Sequence, residues 1–349
     1  MEFHPPATQA LLVTGGAGLI GSRVTRQLRS LGHRVVVADD LSACGPERLA
    51  GGPDAGLIGC LRRVDVSRAG VFHDLLRSAG PFDTVIHLAA RVGVRRVLAD
   101  PEACRKEHQA AATSLIEALA GLSHPPRVIS ASSSEVYCES SQPLDEASDL
   151  RSTNGTGRWA YAASKRAVEL LLDEDWARNA WPVAPLHLRL FNVVGPDQDG
   201  HSGMVLPTFV RCALTGEPLP IHGPGTQVRT LGHVQDVAGD IVKLALQAGP
   251  AHALACGPLN LGGQLRCSVM ELAARVAQLA GLSESCLMHV DPKQTLGSSF
   301  DEVQHRVPNL SRARRLGLAG HERTLNEVIL EALQWAEQEM LRPCVLPAS

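Results

Sequence analysis

The sequence predicts an α/β fold built on a parallel sheet with helices on both faces, and three observations carry that expectation. Through the first half, apolar runs of strand length alternate with stretches of helical spacing. The first run, Ala10–Val13, leads into a turn bearing Gly15, Gly18 and Gly21, followed by helical spacing over Ser22–Leu31. The second run, Val35–Ala38, ends in the acids Asp39 and Asp40.

Each residue of the glycine turn has a physical reason. The turn needs one residue free of Cβ crowding, and the close approach of a pyrophosphate needs another. The third glycine lets the helix pack on the strand, while the helix N-terminus favours negative phosphates. A carboxylate at Asp39 can accept from both hydroxyls of an adenosine ribose and would repel a 2′-phosphate. A glycine turn alone is weak evidence. Strand, glycines, helix, strand and acid in that order point to a dinucleotide site, for NAD rather than NADP.

The 349 residues, 44% hydrophobic, can bury a large core, and the length suits two domains or one domain with an appended lobe. A formal charge of −3 and the lack of a basic run give no reason to invoke nucleic acid. No apolar stretch approaches the roughly 20 residues that span a bilayer, so no membrane partner is expected. Met1–Gln9 contains Pro5 and Pro6 without a basic flank and apolar core, and reads as a tail rather than a signal peptide. Nine cysteines, scattered from Cys44 to Cys344 without a Cys-x-x-Cys pair, argue against zinc or a disulfide framework and for a reducing cytoplasm. No metal site is expected.

Further along, Ser42–Gly59 is rich in Gly, Pro and Asp and should be irregular. Leu61–Val64 leads into Asp65 and Val66, where the acid could meet the adenine amino group or cap a helix at Ser67–Ser78. Thr84–Ala90 is a buried strand ending in small residues, where a cofactor can lie close to the backbone, and His87 within it reads as a core histidine. Pro101–Leu122 is a helix, and Arg127–Ser130 a strand that delivers the run from Ser132 to Tyr137.

The chemistry follows on a helix expected from Arg158 to about Arg178. There Tyr161 and Lys165 stand four residues apart and share a face. A phenol near its free pKa of roughly 10 is a poor base at neutral pH. A nearby ammonium and the positive charge of oxidised nicotinamide would both favour the phenolate. Tyr161 could then take the proton of a substrate hydroxyl, with Ser133 holding the same oxygen.

In these motifs the chain resembles the extended short-chain dehydrogenase/reductase family, the NAD-dependent nucleotide-sugar epimerases, dehydratases and decarboxylases. The likeness runs from Leu11 to about Ala332. It covers the turn from Thr14 to Gly21, Asp39–Leu41, His87–Ala90, Ser132–Tyr137 and Tyr161-x-x-x-Lys165. It continues through Arg189–Pro196, Gly223–Arg229, His233–Val237, Asn260–Gly263 and Arg306–Asn309. The resemblance implies that Gly15, Gly18, Leu19, Ile20, Gly21, Asp39, Asp65, Val66, Leu88, Ala89, Ala90, Tyr161 and Lys165 meet NAD. Asn192, Arg229 and Arg306 would hold the nucleotide diphosphate of a sugar, most simply a UDP-sugar, and two arginines suit phosphate oxygens as forked donors. The implied fold is a doubly wound parallel sheet (Rossmann) over 1–185, completed by about 186–192 and 232–262. A smaller C-terminal sugar-nucleotide lobe would come from 193–231 and 263–349. Ser268–Gly281 and Leu325–Met340 read as amphipathic helices. A homodimer is expected on the same resemblance.

Such enzymes begin by oxidising the sugar, usually at C4, and most end by returning the hydride. A C4 ketone acidifies the C5 proton and makes a C5 carboxylate a ready leaving group. Ser134 and Glu135, in Ser-Glu-Val-Tyr, are similar to the uronate decarboxylases and in part to the 4,6-dehydratases, so Glu135 is expected to act at C5 with Ser133, Ser134, Tyr161 and Lys165. A UDP-hexose 4-epimerase is the alternative; a non-catalytic NAD-binding sensor is the alternative of another class. Three departures stand out. His108-Gln-Ala-Ala-Ala112 replaces Asn-x-x-Gly-Thr, Cys138 replaces a glycine, and Asp197 and Asp199 introduce acids that a uronate would avoid if they faced it.

Overall fold

The computed structural model describes residues 8–43, 57–247, 256–296 and 301–341. Most of the tail Met1–Gln9 and of the irregular stretch Ser42–Gly59 lies outside the described residues, as do Cys44 and Cys344.

The strands are β1 Ala10–Thr14, β2 Arg34–Asp39, β3 Leu61–Arg63, β4 Thr84–His87, β5 Arg127–Ser133, β6 Leu186–Phe191, β7 Val193–Val194, β8 Leu219–His222, β9 Val228–His233, β10 Gly257–Gly262, β11 Leu265–Ser268, β12 Leu287–Val290 and β13 His305–Arg306. The helices are α1 Leu19–Ser30, α2 Val71–Ala79, α3 Val94–Ala99, α4 Pro101–Ala120, α5 Ala160–Asn179, α6 Val205–Thr215, α7 Val234–Leu246, α8 Val269–Leu279, α9 Pro292–Leu296, α10 Ser311–Arg315 and α11 Leu325–Leu341.

Seven parallel strands form one sheet in the order β10-β6-β5-β4-β1-β2-β3. Strand alternation assigns the side chains of β1 to two faces. Leu11 and Val13 pack in a core with Val24 and Leu28 of α1 and Val237 and Ile241 of α7. Leu12 packs in the opposite core with Phe72 of α2, Leu115 of α4 and Val168 and Leu172 of α5. The sheet is therefore covered on both sides, as the alternation of apolar runs predicts. The strand order reverses at β1, between β2 and β4, and ligands of open parallel sheets bind beyond the strand ends at such a reversal.

A third core joins Leu206 and Phe209 of α6, Ile221 of β8, Leu272 and Val276 of α8 and Val328 and Ile329 of α11. There β9 pairs antiparallel with β11 and parallel with β13, and β8 pairs with β12. Ser268 caps α8 by a reciprocal box: its hydroxyl accepts from Glu271 N, and the Glu271 carboxylate accepts from Ser268 N.

Two expected boundaries move. The helix placed at Ser67–Ser78 begins at Val71, because Asp65 accepts from Ser67 N and Oγ at 2.9 and 2.6 Å and closes a turn of its own, and Gly70 then enters the helix at φ +80°. Asp65 thus caps a turn and not the helix. The strand placed at Arg127–Ser130 runs on to Ser133, with Ser132 and Ser133 in register with Arg189 and Leu190.

Gly21 shows why the turn demands its composition. A Cβ there would stand 2.1 Å from Gly15 O and 2.7 Å from Gly16 Cα, so the glycine lets α1 pack on the turn itself. Gly21→Ala should lower the unfolding free energy by about 1–3 kcal/mol, the usual cost of overpacking. An unchanged urea midpoint would show that the turn can give way.

Candidate active site

The turn after β1 and the segment after β4 face each other across the strand reversal. Gly15, at φ +67°, lies so close to Leu88 and Ala89 that a Cβ would meet Ala89 N at 2.7 Å. The Thr14 hydroxyl accepts from Ala89 N at 3.3 Å and lies 2.8 Å from His87 Nδ1, which makes His87 a satisfied core group. Gly18 is the N-cap of α1 and has no side chain to cap it, and a Cβ there would meet only Gly15 O, at 3.1 Å. Leu19 and Ile20 form the first turn behind it. The Asp39 carboxylate, at the end of β2, accepts from Ala17 N at 3.0 Å and Leu41 N at 2.8 Å. Asp65 and Val66 follow β3, and Leu88, Ala89 and Ala90 follow β4, so the structure brings this set to one edge of the sheet. A bare helix N-terminus, an open glycine and an acid at the β2 end fit a dinucleotide without a 2′-phosphate.

Tyr161 and Lys165 lie in the first turns of α5, packed against the sheet. Lys165 Nζ donates to Ala131 O at 2.8 Å and stands 5.9 Å from the Tyr161 ring centre. Burial pushes the Lys165 ammonium down to about 8. Burial, reinforced by the Glu135 charge, pushes the Tyr161 phenol above its ordinary range, against the lowering effect of a hydrogen bond with Ser133. The expectation that Lys165 lowers the phenol is therefore corrected for the chain by itself. The ammonium is tied to a carbonyl, and desolvation dominates.

Sequence reasoning missed what holds this helix. Glu169 is one turn beyond Lys165 on the same face, and that spacing was the available signal. Its buried carboxylate accepts from Arg189 Nε and Nη2 of β6 at 2.9 and 2.8 Å and from the Ser132 hydroxyl at 2.6 Å. Arg189 also donates to the Tyr137 hydroxyl at 3.1 Å, which donates in turn to Asn260 Oδ1 at 2.6 Å.

Beside Tyr161 the charges gather. Ser133 is buried and its hydroxyl accepts from Glu135 N at 3.2 Å; Ser134 is buried next to it. The Glu135 carboxylate accepts from Arg158 at 2.6 and 3.0 Å and pairs with Arg306 at 3.1 Å. Burial raises its pKa, but Arg306, Arg158 and Arg229 together win and hold it at about 2. This limits how Glu135 could act at C5: a carboxylate held between two guanidinium groups is a poor proton acceptor at neutral pH. Arg229 and Arg306 are in register on β9 and β13. Neither points to an open phosphate site in the chain by itself, because Arg229 donates to Glu302 at 2.7 Å and Arg306 meets Glu135. Asn192, at φ +30°, donates to Thr230 O at 3.1 Å. Asp197 pairs with Arg23 and Asp199 lies 3.9 Å from Arg96, so both acids have cationic partners.

Residues 11–257 match the model of the NAD dependent epimerase/dehydratase family, more than half of the chain. The chain belongs to that family. Among relatives, it is 28% identical to the UDP-N-acetyl-alpha-D-glucosaminuronate decarboxylase of Bacillus cytotoxicus, over 93% of this chain and 96% of the other. It is 30% identical to the UDP-glucose 4-epimerase of Mycolicibacterium smegmatis, over 80% and 85%. Among solved structures, MoeE5 in complex with UDP-glucuronic acid and NAD superposes with a TM-score of 0.74 at 29% identity, over 95% of this chain and 99% of that one. As a member of the family the chain is an NAD-dependent enzyme, which sets aside the sensor alternative. Among the described residues no helix is long and apolar enough to cross a membrane.

Two measurements check the site. Asp39→Ala should weaken NAD binding and narrow the preference over NADP, read by titration with each cofactor; an unchanged ratio would remove Asp39 from the ribose. The second concerns acid. Burial, with the Lys165 charge, holds the folded His87 pKa at about 3, far below the ordinary 6.5. Between those values the unfolded chain binds more protons, so stability falls as pH falls, at up to about 1.4 kcal/mol per pH unit for one excluded proton. Urea midpoints at pH 7, 6 and 5 should decline in wild type and decline less in His87→Gln; parallel declines would assign the loss elsewhere.

Proposed function

We propose that this enzyme acts on a UDP-uronate: it forms the C4 ketone, lets the C5 carboxylate leave as carbon dioxide, and re-reduces the product. The observation that carries the reading is the guanidinium cluster of Arg158, Arg229 and Arg306 beside Tyr161. Its three positive charges outnumber the two carboxylates Glu135 and Glu302, and an anionic substrate can take the place of Glu302 on Arg229 while Glu135 stays with Arg158 and Arg306. The similarity to a glucosaminuronate decarboxylase along nearly both full chains supports it.

When bound, NAD supplies the hydride acceptor for C4. The residues that would hold it are the glycine turn from Gly15 to Gly21, Asp39, Asp65, Val66, Leu88, Ala89, Ala90, Tyr161 and Lys165. Tyr161 takes the C4 hydroxyl proton while Ser133 and Ser134 hold the sugar oxygen. Lys165, with Nζ 5.9 Å from the Tyr161 ring centre and partly neutral near pH 8, first takes the phenol's own proton, so that Tyr161 acts as the phenolate. Arg229, Arg306 and Asn192 hold the diphosphate. Loss of carbon dioxide from a 4-keto uronate needs no base at C5, which agrees with an ionised, clamped Glu135. Dehydration does need such a base and is disfavoured by the same clamp. Glu135 then serves by keeping Arg158 and Arg306 in place.

A second reading, 4-epimerisation of a UDP-sugar, draws on the same economy, since it also needs no C5 base, and on the likeness to the mycobacterial 4-epimerase. We also propose a cytoplasmic homodimer; among the described residues no cysteine forms a disulfide.

Incubation of the NAD-loaded protein with UDP-glucuronate, UDP-N-acetylglucosaminuronate and UDP-glucose, followed by product mass, separates these reactions. Loss of carbon dioxide from a uronate is expected. Loss of water, or a new isomer of unchanged mass, would overturn the first reading. Tyr161→Phe should reduce turnover by about 10²–10⁴-fold, the range for a general acid/base group.

A further inference from the structure

His108 lies on α4. The residue is 4% exposed and its ring touches two parts of the site, the backbone after β4 and helix α5. Its Nε2 accepts from Arg91 N at 2.9 Å, in the backbone that continues from Leu88–Ala90. Its Nδ1 lies 2.7 Å from the Ser164 hydroxyl on α5, and that hydroxyl donates to Tyr161 O at 2.8 Å. The ring meets the Tyr161 ring edge-on, 5.8 Å between centres and 73° between planes.

The directions of these bonds are fixed. A backbone N–H can only donate, so Nε2 is bare. Burial and the positive charge of Lys165 keep the ring neutral, well below its ordinary pKa. The single ring proton is then on Nδ1 and donates to Ser164 Oγ, whose one hydrogen goes to the Tyr161 carbonyl. The chain of donors runs one way, from Arg91 N–H through imidazole and hydroxyl to Tyr161 O. Other groups packed around the ring do not reverse it: Cys104 Sγ is 4.0 Å from Nδ1, and the Arg91 guanidinium is drawn away to Glu107, where Nε donates at 2.9 Å.

We propose that His108 is a positioning residue for Tyr161: a neutral Nδ1–H imidazole that clasps the first turn of the tyrosine's helix to the backbone after β4. That backbone abuts Gly15 and belongs to the cofactor wall, so the clasp sets the distance between the phenol and the place where the sugar is oxidised. Arg229, Arg306 and Asn192, which would hold the nucleotide, have no contact with it. Loosening the clasp therefore affects chemistry and leaves nucleotide binding in place. The proposal rests on Tyr161 as proton acceptor.

The test has two arms. In the first, ring nitrogens of the cofactor-free protein are read by ¹⁵N NMR at pH 7, with His108→Gln identifying the signal among 14 histidines. A bare Nε2 and a protonated Nδ1 are expected; the opposite tautomer or an imidazolium would overturn the clasp. In the second arm, absorbance of reduced nicotinamide is followed in a single turnover with the best sugar from the panel above. His108→Phe and Ser164→Ala should each slow this step by about 10-fold or more, as misplacement of a reacting group does, with KM changed less than about threefold. His108→Gln, which can accept from Arg91 N and donate to Ser164, should recover most of the rate. Wild-type rates in both Ser164→Ala and His108→Phe, or a loss confined to KM, would overturn the proposal. Ser164→Ala keeps the arm informative if His108→Phe folds poorly. Full turnover by Tyr161→Phe would instead strike the reading of the tyrosine, and the tautomer would still judge the clasp.

Discussion

The geometry of the site depends on the buried pair between Glu169 of α5 and Arg189 of β6. Both side chains are almost wholly removed from water, at 1% and 2% exposure, and they meet through two hydrogen bonds. Removing one partner from such a pair leaves an uncompensated buried charge and costs about 3–5 kcal/mol. Ser132 and Arg166 also donate to Glu169, and Arg189 also donates to Glu146 O and to the Tyr137 hydroxyl, which donates on to Asn260, so the network joins α5, β5, β6 and β10. Arg189 holds Glu169 at about 2, ionised throughout the physiological range. With Glu169 fixed, Lys165 and Tyr161 one and two turns earlier are fixed as well.

A second electrostatic arrangement lies across the phenol. Arg306 is buried, and its pKa is held down to about 10 by desolvation and by Arg229, Arg158 and Arg151, with Glu135 opposing. Glu302 responds in the other direction, its pKa raised by burial despite Arg229 and Arg158. Each carboxylate makes the arginines tolerable in a dry site, and Glu302 is replaceable on Arg229 by an anion with the same charge. Diphosphate and uronate both meet that description. This gives a physical account of how three arginines are kept together in a dry part of a chain with net negative charge.

What was legible in the sequence was what contiguous residues encode. The glycine turn, the acid after β2, the small residues after β4 and the Tyr161–Lys165 spacing all lie within single strand–turn or helical units. Local geometry follows from local composition there. The sheet with helices on both faces was legible for the same reason, since apolar run and helical period alternate along the chain. The ion pairs were not legible. Glu135 with Arg306, Arg229 with Glu302 and Glu169 with Arg189 join segments that only the fold brings together. Burial, which reverses the expected direction of the Tyr161 shift, is a property of the folded chain. His108 was visible as a departure from the family pattern, but its partners Arg91 and Ser164 were not, because they sit on two other elements.

The central claim is that Glu135 remains a clamped carboxylate while a C4 ketone forms, so that C5 loses carbon dioxide without prior loss of its proton. Turnover of UDP-glucuronate in deuterium oxide, quenched before completion, reads this directly. The account predicts one solvent deuteron at C5 of the decarboxylated product and none at C5 of the remaining substrate. Deuterium washed into C5 of the unreacted uronate would show a base at work there and would contradict it.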